Sequence, residues 1–297
     1  MMDIINADVI EQYNDIFGFE TKNPLVAVVE FPSPKRVEHY RMNFGFYSLF
    51  LKNTKGCVIN YGKTIYDFDD DTVVCFAPGQ NVEISLVDGT EPKSIGLLFH
   101  PDLLHRMPLA QKIKQYSYFS YESNEALHLS AEERMIIVDC INKIRREIDR
   151  PIDKFSKSLI NTNIELLLDY CMRFYDRQFI TRDVINYDIL SKFENLIDDY
   201  LNSGLTETVG IPTVKYFADK VCLSPNYFGD LLKKETGRSA QEYIQQKMVS
   251  FAKERVLDPS KSISQISDLL GFKYPQHFVR FFKRNVGQTP SEYRNLK

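Results

Sequence analysis

Two stretches near the C-terminus carry amide and cationic side chains at matching positions, fifty residues apart. Asn and Gln can pair with the edge of adenine, and Arg and Lys can bind guanine or phosphate. The chemistry that this pattern indicates is recognition of a nucleic acid. The residues expected on the open side of each helix are Asn226, Gly229, Asp230, Lys233 and Lys234 in the first stretch, and Gln276, His277, Arg280, Lys283 and Arg284 in the second.

The two stretches are copies of one pattern, SPNYFGDLLKKETGRSAQEYI from Ser224 and YPQHFVRFFKRNVGQTPSEYR from Tyr274. Each copy has Pro at a helix start, apolar residues at helical spacing, two basic residues, and a Gly suited to end the helix. Capping boxes are then predicted to begin the next helices, at Ser239 with Glu242 and at Thr289 with Glu292. The expected core residues are Phe228, Leu231, Leu232, Phe278, Phe281 and Phe282.

A short helical segment precedes each copy, VKYFADKV before the first and ISQISDLL before the second. Ala218 and Ser267 supply the small residue that lets two helices cross closely, so each copy predicts a helix-turn-helix unit. The helix expected from Ser239 to about Leu257 would span roughly 28 Å at about 1.5 Å per residue. Because the major groove recurs every ~34 Å along B-DNA, one chain could place two recognition helices in successive grooves.

The N-terminal half carries a different pattern. Short runs rich in β-branched and aromatic residues, from PLVAVVEF to SIGLLFH, fill residues 24–100 and predict a small antiparallel barrel or sandwich. Its aromatic residues could line a small cavity, and a closed barrel packed with its own aromatics fits the sequence at least as well. The candidate effector-binding residues are Tyr47, Tyr61, Tyr66, Phe76 and Phe99.

The period changes to helical from Ser130 to Asp176, which predicts a helical hairpin. Ser203-Gly204 and the following TETVGIP mark the expected flexible region before the C-terminal units. An apolar stripe on the first hairpin helix could pair with the same helix of a second subunit in a homodimer, or pack onto its own barrel. The residues of this stripe are Ile137, Ile141, Ile144 and Ile148.

Charge and composition restrict the partners. Residues 206–297 contain 15 Lys and Arg against 9 Asp and Glu, a net of +6, while residues 1–205 contain 22 against 31, a net of −9. A basic tail favours a polyanionic partner. The cysteines have no C-x-x-C spacing and His100 and His105 form no H-x-H pair, so no disulfide framework, metal or other cofactor is expected. A secretory signal and a membrane-length apolar run are both missing, which predicts a cytoplasmic location.

The stretches LSPNYFGDLLKKETG, ISQISDLLGF and HFVRFFKRNVGQTPSEYRN resemble the DNA-binding domain of the AraC/XylS family of transcription regulators. The front part resembles more loosely, through TVVCFAPGQ and SIGLLFHPDLL, the cupin-like half of such regulators. The resemblance implies an α+β chain of two domains. These are a cupin-like antiparallel β barrel in residues 1–180, with the hairpin at about 130–176, and an all-α domain of two helix-turn-helix units joined by a linker helix in residues 189–297.

The same resemblance implies promoter DNA and RNA polymerase as partners, and activation more often than repression. Arg280 matches a family residue that often reads a base, and its guanidinium could bind guanine bidentately. Gly229 and Asp230 depart from the family, since many relatives carry a polar and a basic residue there. We therefore expect less base reading by the first unit.

Three functions fit these observations. They are a transcription regulator whose front domain senses an effector and dimerises, a cupin-type enzyme with a DNA-binding tail, and a recruiting protein without an effector. The sequence contains no Gly-rich phosphate loop and no nucleophile elbow, and we identify no catalytic residue. The regulator is therefore the prediction.

Overall fold

The computed structural model describes residues 4–32, 39–52, 57–60, 71–86, 93–121, 125–181 and 183–295. The chain divides into two compact domains, Met1–Thr181 and Arg182–Lys297. The boundary predicted from the sequence lies between residues 180 and 189. The N-terminal domain is rich in β-structure and the C-terminal domain is built from helices. The expected α+β class is thus confirmed.

Two sheets form the N-terminal domain, with strand orders β1-β3-β7-β5 and β2-β8-β4-β6-β9. The pairs are antiparallel as expected, except that β1 runs parallel to β3. A parallel pair needs a long connection, and helix α1 (Ile10–Phe17) together with β2 supplies it. The strands are β1 Ile4–Ala7, β2 Val26–Phe31, β3 His39–Phe44, β4 Tyr47–Lys52, β5 Cys57–Asn60, β6 Thr72–Phe76, β7 Asn81–Leu86, β8 Ser94–Phe99 and β9 Leu127–His128.

Aromatic side chains from both sheets and from α1 form the core of the N-terminal domain. Side chains alternate along a strand, so Phe50 and Phe76 join this cluster while Cys75 points to the opposite face of its sheet. Helix α1 contributes Tyr13 and Phe17, whose ring centroids lie 4.6 Å apart. The described part of this core is therefore formed by aromatic and aliphatic side chains of the domain itself.

The predicted helical hairpin consists of α3 (Ala131–Ile148) and α4 (Ser156–Thr181), and short helical turns including α2 (Leu109–Lys112) precede it. Ile137, Ile141 and Ile144 are fully buried against α4 and β2, and Ile148 is half-buried. These three side chains are not available to a second subunit. The proposed dimer contact through this stripe is wrong, because the stripe forms the core between α3 and its own domain.

The C-terminal domain contains the two helix-turn-helix units and the helices that support them. The first unit is α7 followed by α8, the second is α10 followed by α11, and the linker helix α9 joins them. The helices are α5 Asp183–Asn202, α6 Leu205–Val209, α7 Val214–Lys220, α8 Pro225–Thr236, α9 Ala240–Val256, α10 Ile263–Leu269, α11 Pro275–Val286 and α12 Pro290–Asn295.

The segment that the sequence analysis expected to be flexible, TETVGIP, is ordered by tertiary contacts. Residues 205–209 form α6, and Thr206 is only 1% exposed. Loop-like composition is outweighed here by burial against the second unit. Of the helices that the structure describes, none combines the length and the apolar character needed to cross a membrane.

Candidate DNA-binding surface

The first helix-turn-helix unit is built around a tight turn. The backbone N–H of Leu223 donates to the carbonyl of Ala218 at 3.0 Å, and the αL residue of the turn is Cys222, at φ 59°. Ser224 then caps α8 by accepting a hydrogen bond from the backbone N–H of Tyr227 at 3.2 Å. Gly237 ends α8 in the left-handed conformation, as predicted. This local geometry fixes where the recognition helix starts and stops.

The second unit repeats this geometry with one additional residue in its turn. The N–H of Phe272 donates to the carbonyl of Ser267 at 3.0 Å, and Gly271 is the αL residue, at φ 79°. The side chain of Tyr274, which precedes α11, makes no capping hydrogen bond. Gly287 ends the helix. The predicted small residues at the two helix crossings, Ala218 and Ser267, are both fully buried.

The inner faces of both recognition helices lie in the core. Phe228, Leu231, Leu232, Phe278 and Phe282 are fully buried, as predicted. Phe281 is instead half-buried, because its ring packs at the edge of the core on Phe272, with centroids 5.2 Å apart. The orientation of each helix is therefore fixed, and its opposite side faces solvent.

The predicted DNA-facing residues of α8 lie on that outer side. Asn226, Lys233 and Lys234 are exposed, and Gly229 and Asp230 are half-buried. A Cβ at Gly229 would meet no atom within 4 Å. The middle of this helix therefore presents a gap where a longer side chain would fit.

On α11 all five predicted residues are exposed, and three of them are cationic. Within the part of the chain that the structure describes, Arg280, Lys283 and Arg284 take part in no ion pair. Their charge is thus available to an external anion. The exposed set on α11 is Gln276, His277, Arg280, Lys283 and Arg284.

The linker helix α9 carries both units and begins with a complete capping box. The Ser239 hydroxyl accepts from the N–H of Glu242, and the Glu242 carboxylate accepts from the N–H of Ser239 at 2.9 Å. Hydrogen bonds from Ser239 lower the pKa of Glu242. A second box, between Thr289 and Glu292, begins α12 and lowers the pKa of Glu292 in the same way. Both predicted boxes are therefore present.

Helix α5 holds α9 in place through two polar contacts. The hydroxyl of Tyr243 donates to Glu194, and burial together with this hydrogen bond raises the pKa of Tyr243 to about 12. Lys247 forms an ion pair with Asp198 at 3.1 Å. The linker helix is thus fixed along the side that packs on α5.

Three supporting residues were missed in the sequence. The hydroxyl of Thr206 donates to the carbonyl of Leu269 at the end of α10, and Gly271 lies against the same segment. The guanidinium of Arg294 donates to the carbonyls of Val256, Asp258 and Lys261, which ties α12 to the end of α9. A signal for Gly271 was present, because only the second turn has a glycine at this position.

The three effector-binding candidates that the structure describes, Tyr47, Phe76 and Phe99, do not line one common cavity. Tyr47 stacks on Phe99 with centroids 5.1 Å apart, on the face of the sheet that packs against Phe119. Phe76 lies on the other face, in the aromatic core. Tyr61 and Tyr66 lie outside the described residues. Strand register separates Phe76 from Phe99, since Phe76 pairs with Ser48 whereas Phe99 pairs with Tyr47.

Comparison with known proteins identifies the C-terminal domain. The sequence model of a family described as "Helix-turn-helix domain" matches residues 217–296. The chain is 32% identical, over 36% of its length and 49% of the relative, to the bifunctional transcriptional activator/DNA repair enzyme AdaA of Bacillus subtilis. It is 24% identical, over 75% of its length and 82% of the relative, to the probable transcriptional regulator LumQ of Photobacterium leiognathi.

Among solved structures, the chain is similar to a transcriptional regulator of Chromobacterium violaceum described as containing an AraC-type DNA-binding domain. The identity is 26%, the match covers 31% of this chain and 83% of that one, and the TM-score is 0.28. The chain spans about half the length of AdaA, so the activity of that whole protein is not transferred. Residues 217–296 thus form a helix-turn-helix domain that is similar to the corresponding parts of transcription regulators of the AraC/XylS type.

Proposed function

We propose that the chain is a sequence-specific DNA-binding regulator whose two helix-turn-helix units read successive major grooves. One observation carries this proposal: each recognition helix buries an apolar face and exposes a polar face, and the exposed face of α11 bears three cations without an ion pair among the described residues. Cations on a helix that fits the major groove supply both phosphate binding and contact with base edges.

The length of α9 supports two grooves rather than one. Its 17 residues span about 25 Å at about 1.5 Å per residue. Each recognition helix packs on α9. The exposed faces of the two recognition helices can therefore lie further apart than the length of α9 itself. The repeat of the major groove is ~34 Å, which a linker of this length can serve.

The two units contribute unequally in this proposal. Arg280 on α11 can donate two hydrogen bonds to guanine, whereas Asp230 occupies the same position on α8 and can only accept them. A carboxylate also repels nearby phosphates. We therefore assign most base discrimination to α11 and mainly positioning to α8.

We further propose that the chain activates transcription. The chain acts as an activator that contacts RNA polymerase at promoters in the cytoplasm, and no described residue is assigned a catalytic role. AggR of Escherichia coli, a transcriptional activator, is 31% identical over 40% of this chain, which supports activation.

Homodimer formation needs a surface other than the buried isoleucine stripe. The outer face of α4 and the residue preceding it expose Phe155, Leu159 and Leu166, at 56%, 45% and 40%. Spacings of four and seven residues put them on one side of the helix. We propose this face as the dimer contact. Sedimentation of the full chain and of its Leu159→Glu variant tests it, because a charge there should favour the monomer.

Effector control also needs a different cavity from the one that the sequence suggested. A recess of about 250 Å³ lies beside β2 and α3, with Phe19, Val29 and Ile148 in its lining together with Lys22 and Arg145. Lys22 and Arg145 form ion pairs with Asp149 and Glu30, so the charges at the recess are balanced and its apolar walls suit a small neutral organic molecule. A small neutral organic molecule that binds there should raise the melting temperature of the full chain, since it binds the folded state.

Selection of bound sequences from random duplex DNA by the full-length protein tests the proposed function. We expect a motif with two elements about one helical turn apart. Binding that is sensitive to salt but enriches no motif would contradict sequence-specific reading.

A further inference from the structure

A second connection joins the two helix-turn-helix units besides the linker helix. It is the segment Gly204–Gly210, which follows α5 and includes α6. The hydroxyl of Thr206 donates to the carbonyl of Leu269 at 2.5 Å, and Thr206 itself is 1% exposed. This bond satisfies a carbonyl at the end of α10 that lacks a partner within its own helix.

The backbone of this segment lies directly against the turn of the second unit. A Cβ at Gly271 would come within 2.5 Å of the Thr206 carbonyl oxygen and 2.8 Å of the Gly210 carbonyl carbon. Real side chains do not approach backbone atoms this closely. Only glycine allows the contact.

The other end of the segment is fixed to the first unit. Helix α5 packs on α7, α8 and α9. Tyr200 on α5 is fully buried, its ring packs on Phe217 of α7 with centroids 5.8 Å apart, and its hydroxyl donates to the carbonyl of Gly210 at 3.0 Å. Movement of the segment would therefore break contacts in both units.

The turn of the first unit shows that the turn geometry alone does not require glycine. Cys222 adopts the same left-handed conformation at the equivalent position, φ 59° against 79° for Gly271, and it is exposed. The requirement in the second unit includes close packing against residues 206–210. The second unit packs on α9 and also on residues 206–210, so two separate contacts together fix its orientation.

We propose that Thr206 and Gly271 are positioning residues that hold the second unit at one orientation relative to the first, and so fix the spacing of the two DNA elements that the chain binds together. This inference rests on the proposed function, namely that both units bind DNA. Neither residue needs to touch DNA. Linked sites gain affinity over single ones only when their geometry permits simultaneous binding.

The test uses full-length Gly271→Ala with Gly287→Ala as a matched control. Gly287 has φ 85° and no atom within 4 Å of a built Cβ, so alanine there adds the same backbone strain without the collision. Affinity is measured on a duplex with both selected elements, on duplexes with one element, and on duplexes in which the spacing is changed by one base pair.

We expect Gly271→Ala to lose about tenfold in affinity for the two-element duplex while its affinity for single elements changes less than about twofold. It should also tolerate the altered spacing that the wild type rejects. Gly287→Ala should keep the spacing preference of the wild type. Where Gly271→Ala does not fold, Thr206→Val, which removes the hydrogen bond at similar size, is measured instead, with the same expected relaxation of spacing.

Equal losses on single and double elements, or an unchanged spacing preference in the folded variants, would overturn the positioning role and leave the proposed function intact. If the wild type shows no preference for a two-element duplex over random DNA, the proposed function fails and the inference with it. A loss of spacing preference in Gly287→Ala as well would also overturn the inference, because backbone strain alone would then explain it.

Discussion

The two helix-turn-helix units share one framework and differ at the positions that do not build it. The buried Phe228 and Leu232 match the buried Phe278 and Phe282 at an offset of fifty residues, and the terminal glycines and the capping boxes that follow match at the same offset. The caps in front of the recognition helices differ: Ser224 caps α8, whereas Tyr274 leaves α11 without a side-chain cap. The two units therefore share their main core positions and differ at the starts of their recognition helices and on their exposed faces.

The exposed faces differ in charge at their centres. Gly229 and Asp230 on α8 correspond to Val279 and Arg280 on α11. The same helix position thus carries a carboxylate in one unit and a guanidinium in the other. We propose that this opposite charge gives the two units different roles in DNA binding.

Removing an equivalent core ring should destabilise both units alike. We expect Phe228→Ala and Phe278→Ala each to lower the unfolding free energy of the C-terminal domain by about 3–5 kcal/mol, because both rings are fully buried. Urea unfolding followed by circular dichroism measures this. A loss below 1 kcal/mol for only one of them would mean that the two cores are not equivalent.

Removing the central charge should affect the units in opposite ways. Arg280→Ala should cost about 1–3 kcal/mol of specific binding and relax base preference at one position. Asp230→Ala should leave binding unchanged or strengthen it, because a carboxylate near phosphates is lost. Fluorescence anisotropy with specific and random duplexes measures the affinity of both variants and distinguishes these two outcomes.

Lys234→Ala serves as the control for that comparison, since loss of a phosphate contact weakens binding to all sequences alike. If Arg280→Ala also weakened specific and random DNA equally, Arg280 would be a phosphate contact and the assigned difference between the units would be wrong.

The helix caps should respond in opposite directions. Ser224→Ala should cost about 1 kcal/mol of stability through loss of the hydrogen bond to the N–H of Tyr227. Tyr274→Ser should stabilise by a similar or smaller amount, about 1 kcal/mol at most, because the extended backbone at this position suits a capping serine. Thermal unfolding measures both, and destabilisation by Tyr274→Ser would contradict the account of this cap.

The smallest effect is expected from the capping-box carboxylates. The pKa values of Glu242 and Glu292 are lowered in the folded chain. Their contribution to stability is therefore present above the unfolded pKa of about 4.3 and is lost as pH falls through the lowered folded value. The double variant Glu242→Gln and Glu292→Gln should lose less stability than the wild type between pH about 6 and about 3. Identical pH profiles would exclude this contribution.

Much of the C-terminal domain could be predicted from the sequence because its signals are local. Each of these signals acts within a few residues, and each occurs in both copies of the fifty-residue repeat. In the first copy they are Pro225, Gly237 and the Ser239 capping box. The contact of Thr206 with Leu269 joins residues 63 positions apart, and no local sequence pattern indicates it. The polar composition of TETVGIP instead suggested a flexible loop.

The N-terminal domain was harder to predict for a related reason. The period of Ile137, Ile141 and Ile144 correctly indicated a buried helix face but could not say what covers it. Aromatic residues on strands indicated a core, yet the face that each one occupies depends on register, and Phe76 and Phe99 lie on opposite faces. Helix α1, which adds Tyr13 and Phe17 to the interior, was not expected.

The central claim, that both units read DNA and do so unequally, is tested most directly by measuring affinity for every single-base-pair variant of the selected two-element site. Arg280→Ala identifies which element faces α11, because discrimination should disappear at one position there. We predict losses of about 1–3 kcal/mol per mismatch in that element and smaller losses in the other. Equal losses in both elements, or losses confined to the element facing α8, would contradict the account.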